Sequence, residues 1–342
     1  MSKRKLTRQQ RWRIEKIQAE RAKRAERVDA RDGERLEAGE FGPERPGRVT
    51  AHFGRSLDVE AVDDSGQHHR HRCHMRANMD GLVTGDRVVW RQANDDSGVV
   101  VARGERDSVL ERPDARGQLK PVAANLDQIL IVFAAEPEPH ANLIDRYLVA
   151  AEATGIAPAL VLNKIDLLPA RGGELRDLLD RYQALGYPVV LASVKQEDGL
   201  DALHQRLTGR TSVFVGQSGV GKSSLIDRLL PDHALRIGAL SEDSRKGTHT
   251  TTTAMLYHQP AGGELIDSPG IREFGLTHLD AEQVTAGFIE FHDYLGRCRF
   301  RDCRHREEPG CALLAAVERG DIHPQRFASY RRILASLETD SE

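Results

Sequence analysis

Gly216, Gln217, Ser218, Gly219, Val220, Gly221, Lys222 and Ser223 have the G-x-x-x-x-G-K-[ST] spacing of a phosphate-binding loop. An apolar run at 213–215 precedes them and a helical stretch at 224–230, opening on Ser224, follows, which is the strand, loop and helix context the motif needs. The glycines let the backbone wrap an anion so that successive N–H groups and a helix N-terminus face it. Lys222 is expected to reach the β- and γ-phosphate oxygens and Ser223 to ligate Mg²⁺. Asn163, Lys164, Ile165 and Asp166 follow a second apolar run at 159–162 and fit N-K-x-D. A carboxylate at Asp166 can accept from both N1–H and the 2-amino group of guanine; adenine would leave that charge without a partner, so the position selects guanine. Ser193, Val194 and Lys195 fit a third guanine-facing loop. Asp267, Ser268, Pro269 and Gly270 match D-x-P-G after a short run at 264–266, placing a carboxylate in the Mg²⁺ shell and the Gly270 N–H near a γ-phosphate. In the polar stretch 246–253, either Thr250 or Thr251 could complete the Mg²⁺ coordination.

A second constellation is C-x₄-C-x-H-x₅-C, formed by Cys298, Cys303, His305 and Cys311. Three thiolates and an imidazole at this spacing suit tetrahedral Zn²⁺, and four protein ligands leave no open position, so the expected role is structural. The chain has only four cysteines, which argues against a disulfide scaffold. Arg297, Arg299, Arg301, Arg304 and Arg306 are interleaved with the ligands and suit phosphate contacts; a solvated basic loop is the other reading. The run His68, His69, His71, Cys73 and His74 reads as solvent-facing histidines alternating along a strand rather than a metal site.

The elements that must position these residues fall into four segments of the 342-residue chain. Residues 1–46 read as a basic arm without an apolar stripe, ordering only on its partner. Residues 1–48 hold 15 Lys/Arg against 9 Asp/Glu, whereas the other 294 hold 34 against 43, so a basic arm precedes an acidic body. That asymmetry points to an anionic partner such as nucleic acid, a helix of mixed solvated charges being the alternative. Residues 47–115 show about five short β-branched runs punctuated by glycine, the texture of a small OB-type barrel. Residues 116–276 alternate strand and helix patterns as an α/β domain, and 277–342 read as a helical zinc-binding domain. The longest apolar run, 129–135, is far short of the ~20 residues of a membrane span, which makes the cytoplasm the default location.

In GTPases of the usual order the P-loop and D-x-P-G precede N-K-x-D, but here Asn163 precedes Gly216 by 53 residues, so the α/β segment reads as a circularly permuted GTPase domain. The chain would leave that domain just after D-x-P-G, through 271–276, tethering the switch to the C-terminal segment. This motif order, with a barrel before it and a Cys/His cluster after it, resembles the ribosome-small-subunit-dependent GTPase A family (RsgA, also called YjeQ) over roughly residues 48–335. The resemblance implies GTP hydrolysis to GDP and phosphate, attachment to the small (30S) ribosomal subunit and its rRNA as a late maturation factor, stimulation by the subunit, and zinc at the cysteine cluster. No membrane contact and a monomer are expected. A non-catalytic GTP-sensing RNA chaperone is the rival reading, and an ATP-dependent kinase would leave residues 163–166 without a use. Ile271 follows D-x-P-G where many GTPases have a water-orienting Gln, and it can neither donate nor accept a hydrogen bond. The nearest candidate catalytic group is His249; the resemblance implies a role for the histidine before the threonine run, although Thr248 stands where the family usually carries Arg.

Overall fold

Gln128–Ala134 is buried at every position, as a strand covered on both faces must be, and its unbroken apolar sequence follows from that. The architecture around it comes from a computed structural model that describes residues 41–54, 56–63, 65–76, 79, 81–93, 97–114, 117–170, 172–230, 254–267 and 279–340. The chain divides into two units: Met1–Leu82 with Asp86–Glu105, and Val83–Gly85 with Arg106–Glu342.

In the first unit, β1 (Phe41–Phe53), β2 (Ser56–Val62), β3 (His68–Met75), β4 (Arg87–Ala93) and β5 (Ser97–Arg103) run in the order β1-β2-β3-β5-β4, and β4 pairs back to β1. The five short strands therefore close on themselves around Val49, Leu57, Val59, Cys73, Trp90 and Val100. β1 begins at Phe41, five residues before the expected end of the arm. Phe41 is buried opposite Ala93, a pairing that the polar sequence after it conceals. The histidines do lie on β3, yet they do not alternate. His68 Nδ1 is 3.0 Å from Glu60 Oε1, His69 Nε2 is 2.8 Å from Asp63 Oδ2, and both are exposed. His71 is half-buried with its ring 4.5 Å from that of Trp90.

The second unit opens with a hairpin of β6 (Val109–Pro113) and β7 (Leu119–Ala124). Its main sheet has the order β10-β9-β8-β11-β13-β12, with β8 (Gln128–Ala134), β9 (Ala157–Asn163), β10 (Val189–Leu191), β11 (Thr211–Val215) and β13 (Glu264–Asp267) parallel and β12 (Met255–His258) antiparallel at β13. From β8 the chain builds outward through α1 (Ala141–Glu152), β9, α2 (Gly172–Ala184) and β10, and then α3 (Asp201–Leu207) leads back to β11 on the other side of β8. Strand order reverses between β8 and β11, and the crevice at the carboxyl ends of strands at such a switch point is where open α/β sheets bind ligands. Ile129, Ile131, Phe133, Leu148, Leu160, Leu162 and Tyr182 form the core beneath it.

The C-terminal stretch is helical: α5 (Ala281–Ala286), which follows α4 (Lys222–Leu229) in chain order, then α6 (Ala312–Arg319) and α7 (Pro324–Asp340). α5 starts with a capping box in which Asp280 and Gln283 exchange side-chain and backbone hydrogen bonds. Phe288, Phe291, Phe327 and Tyr330 pack together and onto Val149 and Ala150 of α1. Arg326 is buried among them and donates to Asp145 Oδ1 of α1 at 2.6 Å and to Glu290 at 2.7 and 3.0 Å. Tyr182 of α2 donates to the same Asp145 oxygen at 2.6 Å.

Candidate functional site

Four motif segments reach the carboxyl edge of the parallel strands. Residues 216–221 leave β11, Asn163 ends β9, Ser193 lies two residues past β10 and Asp267 ends β13. Gly216 has φ 139°, and a Cβ there would lie 2.2 Å from the Val132 carbonyl oxygen. Gly221 has φ 93°, and a Cβ there would lie 2.4 Å from Asn163 Nδ2, so a side chain at either position would force the loop off the sheet. α4 begins immediately after Gly221, which provides no side-chain cap, and its first-turn N–H groups are oriented toward the loop. Lys222 is buried and donates to the carbonyls of Gly216 and Gln217, both at 2.6 Å. Ser223 and Ser224 are exposed in the first turn of α4.

The guanine-motif residues are tied to this loop. Asn163 is buried and donates from Nδ2 to the Val220 carbonyl at 2.9 Å; its Oδ1 has no partner among the described residues, the mark of a group that a ligand or water completes. Lys164 takes a left-handed φ of 60° and donates to Gly219 O at 2.8 Å and Glu136 O at 2.7 Å. Asp166 Oδ1 accepts from Ser193 Oγ at 2.7 Å, while Lys195 Nζ lies 3.5 Å from Oδ2. The Ser193 hydrogen bond first, and the Lys195 charge with it, hold the Asp166 carboxyl below its ordinary range. Ser193 is itself buried and fixed by accepting from the Lys195 backbone N–H at 3.2 Å, with Val194 half-buried between them. The edge thus combines an ionised acceptor with an anion-binding loop. Asp267 is buried at the end of β13, opposite Met255. His249, Thr250, Thr251 and Gly270 lie outside the described residues.

The second constellation forms a single cluster. Cys298 Sγ is 4.0 Å from Cys311 Sγ and 3.5 Å from His305 Nδ1, and that nitrogen is 3.6 Å from Cys303 Sγ and 3.3 Å from Cys311 Sγ. Ligands about 2.3 Å from a tetrahedral ion are about 3.8 Å apart, so these separations are those of tetrahedron edges, not of a disulfide. All the cysteines are free. Burial pushes the His305 imidazole below its ordinary value, which keeps it neutral and able to donate a lone pair. Glu308 folds under the loop to accept the backbone N–H groups of Arg304 (2.9 Å), Arg306 (2.7 Å) and Glu307 (3.1 Å), and the Arg304 bond leads in holding its carboxyl at about 2. The cluster can hold a metal ion.

A family model described as RsgA GTPase matches residues 103–277. The chain is 76% identical over 339 residues to the small ribosomal subunit biogenesis GTPase RsgA of Chromohalobacter salexigens, covering 99% of this chain and 100% of that protein. It is 61% identical over 341 residues to the RsgA of Ectopseudomonas mendocina, covering 99% of each. The chain belongs to the RsgA GTPase family. Among solved structures it is similar to YjeQ from Thermotoga maritima, with a TM-score of 0.70 and 31% identity over 86% of this chain and 99% of that one. It is also similar to YloQ, a circularly permuted GTPase, with a TM-score of 0.66 and 29% identity over 87% and 96% of the two chains. The permuted GTPase fold expected from motif order is the fold found, and membership of a GTPase family sets aside the non-catalytic sensor.

Two features of this family member escaped the motif reading. The Glu136 carbonyl anchors Lys164, and a backbone acceptor leaves no trace in residue type. Arg326 did leave one: Arg326, Tyr330 and Ile333 share one face of α7, and a buried arginine on an apolar face needs buried carboxylates.

Proposed function

We propose that this chain hydrolyses GTP in step with its attachment to the small (30S) ribosomal subunit late in assembly, and that the subunit accelerates turnover. What supports this most is the tie between Asn163–Lys164 and the 219–220 carbonyls together with an ionised Asp166: base reading and phosphate binding share one rigid edge. Asp166 accepts N1–H and the 2-amino group of guanine, Ser193 and Lys195 hold it in place, and Lys164 and Val194 flank the base. The N–H groups of residues 217–224 and the Lys222 ammonium receive the phosphates, with Gly270 at the γ-phosphate. Mg²⁺, held by Ser223, Asp267 and one of Thr250 or Thr251, would neutralise charge between the β- and γ-phosphates. His249 orients the attacking water, whose oxygen bonds to the γ-phosphorus as the bond to the β-phosphate oxygen breaks, giving GDP and phosphate.

The Cys298, Cys303, His305 and Cys311 cluster holds one structural Zn²⁺, since four protein donors close the shell. We assign strands β1 to β5, residues 41–103, to an OB-type barrel, 106–276 to the GTPase domain and 277–342 to the zinc domain. The barrel, the basic arm and the zinc loop bind rRNA, and the protein acts as a cytoplasmic monomer. Among the described residues no helix is long and apolar enough to cross a membrane. Co-sedimentation with small subunits tests the reading: the chain should pellet with a non-hydrolysable GTP analogue and stay in solution with GDP. Equal pelleting in both states would overturn nucleotide-dependent attachment.

A further inference from the structure

Phe300 is a large apolar side chain on a loop whose neighbours are almost all charged, and it is 43% exposed. The packing that buries Phe288, Phe291, Phe327 and Tyr330 does not include it. The Arg299 guanidinium lies 5.5 Å from its ring centroid, within cation–π range, and the Phe300 carbonyl accepts the Cys303 backbone N–H at 3.4 Å, so the metal loop fixes the ring's root. Arg297, Arg299, Arg301 and Arg304 are exposed on the same loop. Of the acids in the loop, Asp302 is exposed two residues from Phe300, and Glu308 is engaged by three backbone N–H groups. Against the Cys/His loop a groove of 190 Å³ is lined by Arg304, Tyr330, Arg331 and Leu334.

An exposed phenyl on an arginine-rich loop joins the two parts of a single-strand nucleic-acid surface: a flat apolar face for a base and cations for the flanking phosphates. A duplex cannot use both. The bases of A-form RNA are stacked inside a helix whose major groove is deep and narrow, whereas unpaired loop or bulge bases can be splayed onto an aromatic ring. We propose that Phe300 stacks on an unpaired RNA base while Arg304 and Arg331 hold its neighbouring phosphates, so that the zinc loop reads a single-stranded RNA element. This rests on the small-subunit reading above and names the RNA feature that one surface of the chain engages. Phenylalanine offers no hydrogen bond, so the contact is tolerant of base identity and selective for unpaired structure.

The test uses the full zinc-loaded chain, a fluorescent single-stranded oligoribonucleotide, the same sequence as a duplex, and small subunits. Phe300→Ala should weaken single-strand binding roughly tenfold with no change in salt slope, and Phe300→Trp should restore it. Arg304→Gln and Arg331→Gln should instead each lower the salt slope by about 1. Zinc content and GTP affinity, measured on every variant, establish that the fold is retained. Equal single-strand affinity for Phe300→Ala and the parent would overturn the stacking role while leaving subunit binding intact. A loss for subunits without a loss for naked RNA would overturn it in favour of a protein contact. Failure of the parent chain to bind subunits at all would overturn the underlying reading and this inference with it.

Discussion

Asp166 is the residue on which nucleotide choice turns, and its chemistry follows from two neighbours. Because Ser193 and Lys195 depress its pKa, the carboxylate persists to lower pH than a free aspartate would. The group ionises below the ordinary value of about 3.9, so its contribution to folding and to guanine binding is fully present above that value and is lost only as pH falls through the lower, folded one. GTP affinity measured by calorimetry should therefore be unaffected by this group down to about pH 3.9; a fall centred at or above that value would show that Asp166 is not so held. Asp166→Asn removes a charge-assisted pair and should weaken GTP by roughly 10- to 100-fold while favouring xanthine nucleotides, whose 2-oxo group accepts rather than donates. Undiminished GTP affinity would remove Asp166 from the base site. These side chains were legible in the sequence because charge and hydrogen-bonding type are properties of the residue itself. The carbonyls that Lys164 and Lys222 reach were not, because every residue has one and only the fold selects which is near.

The strands and helices that end in motifs were legible from apolar runs, and β8, β9, β11 and β13 lie where those runs placed them. How the C-terminal helices attach was not. The sequence suggests a segment linked through 271–276, whereas the helices are also docked on α1 by an aromatic core and by Arg326. Burial alone would lower the Arg326 pKa, but Asp145 and Glu290 outweigh it and hold the guanidinium above its ordinary range. Arg326→Ala strands two buried carboxylates and should cost about 3–5 kcal/mol in denaturant unfolding; a loss under about 1 kcal/mol would mean that the pair is not the clasp. The metal loop makes a separate prediction. Cys311 is the N-cap residue of α6, and Cys298 Sγ accepts the Ala312 N–H at 3.3 Å, so the ligands also start a helix. Elemental analysis should find about one zinc per chain, and chelation should lower helicity while GTP binding persists. A 298–303 or 303–311 disulfide in the purified protein would contradict the metal assignment.

Over the whole molecule, residues 1–48 carry a balance of +6 against −9 for the rest, so an anionic partner such as the proposed RNA would be drawn to the N-terminal segment. Since β1 starts at Phe41, a truncation that tests the arm must stop at residue 40; removing six residues more would cut into β1. Deleting 1–40 should leave GTP affinity unchanged and reduce both subunit affinity and its salt slope, because counterion release scales with phosphate contacts. An unchanged salt slope would reduce the arm to a passive tail. That a permuted GTPase was legible at all reflects motif order, which survives any change in packing. What would couple nucleotide to subunit was not legible, because residue type at 249–251 and 270 does not say how a bound partner would arrange them. The most direct test is multiple-turnover GTP hydrolysis by the full zinc-loaded chain with and without stoichiometric small subunits, for the parent and for His249→Ala. The parent should turn over at about 10⁻⁴ to 10⁻² s⁻¹ alone and at least about tenfold faster with subunits, and the variant should lose most of that gain with its GTP affinity intact. A parent rate that subunits leave unchanged would contradict the account.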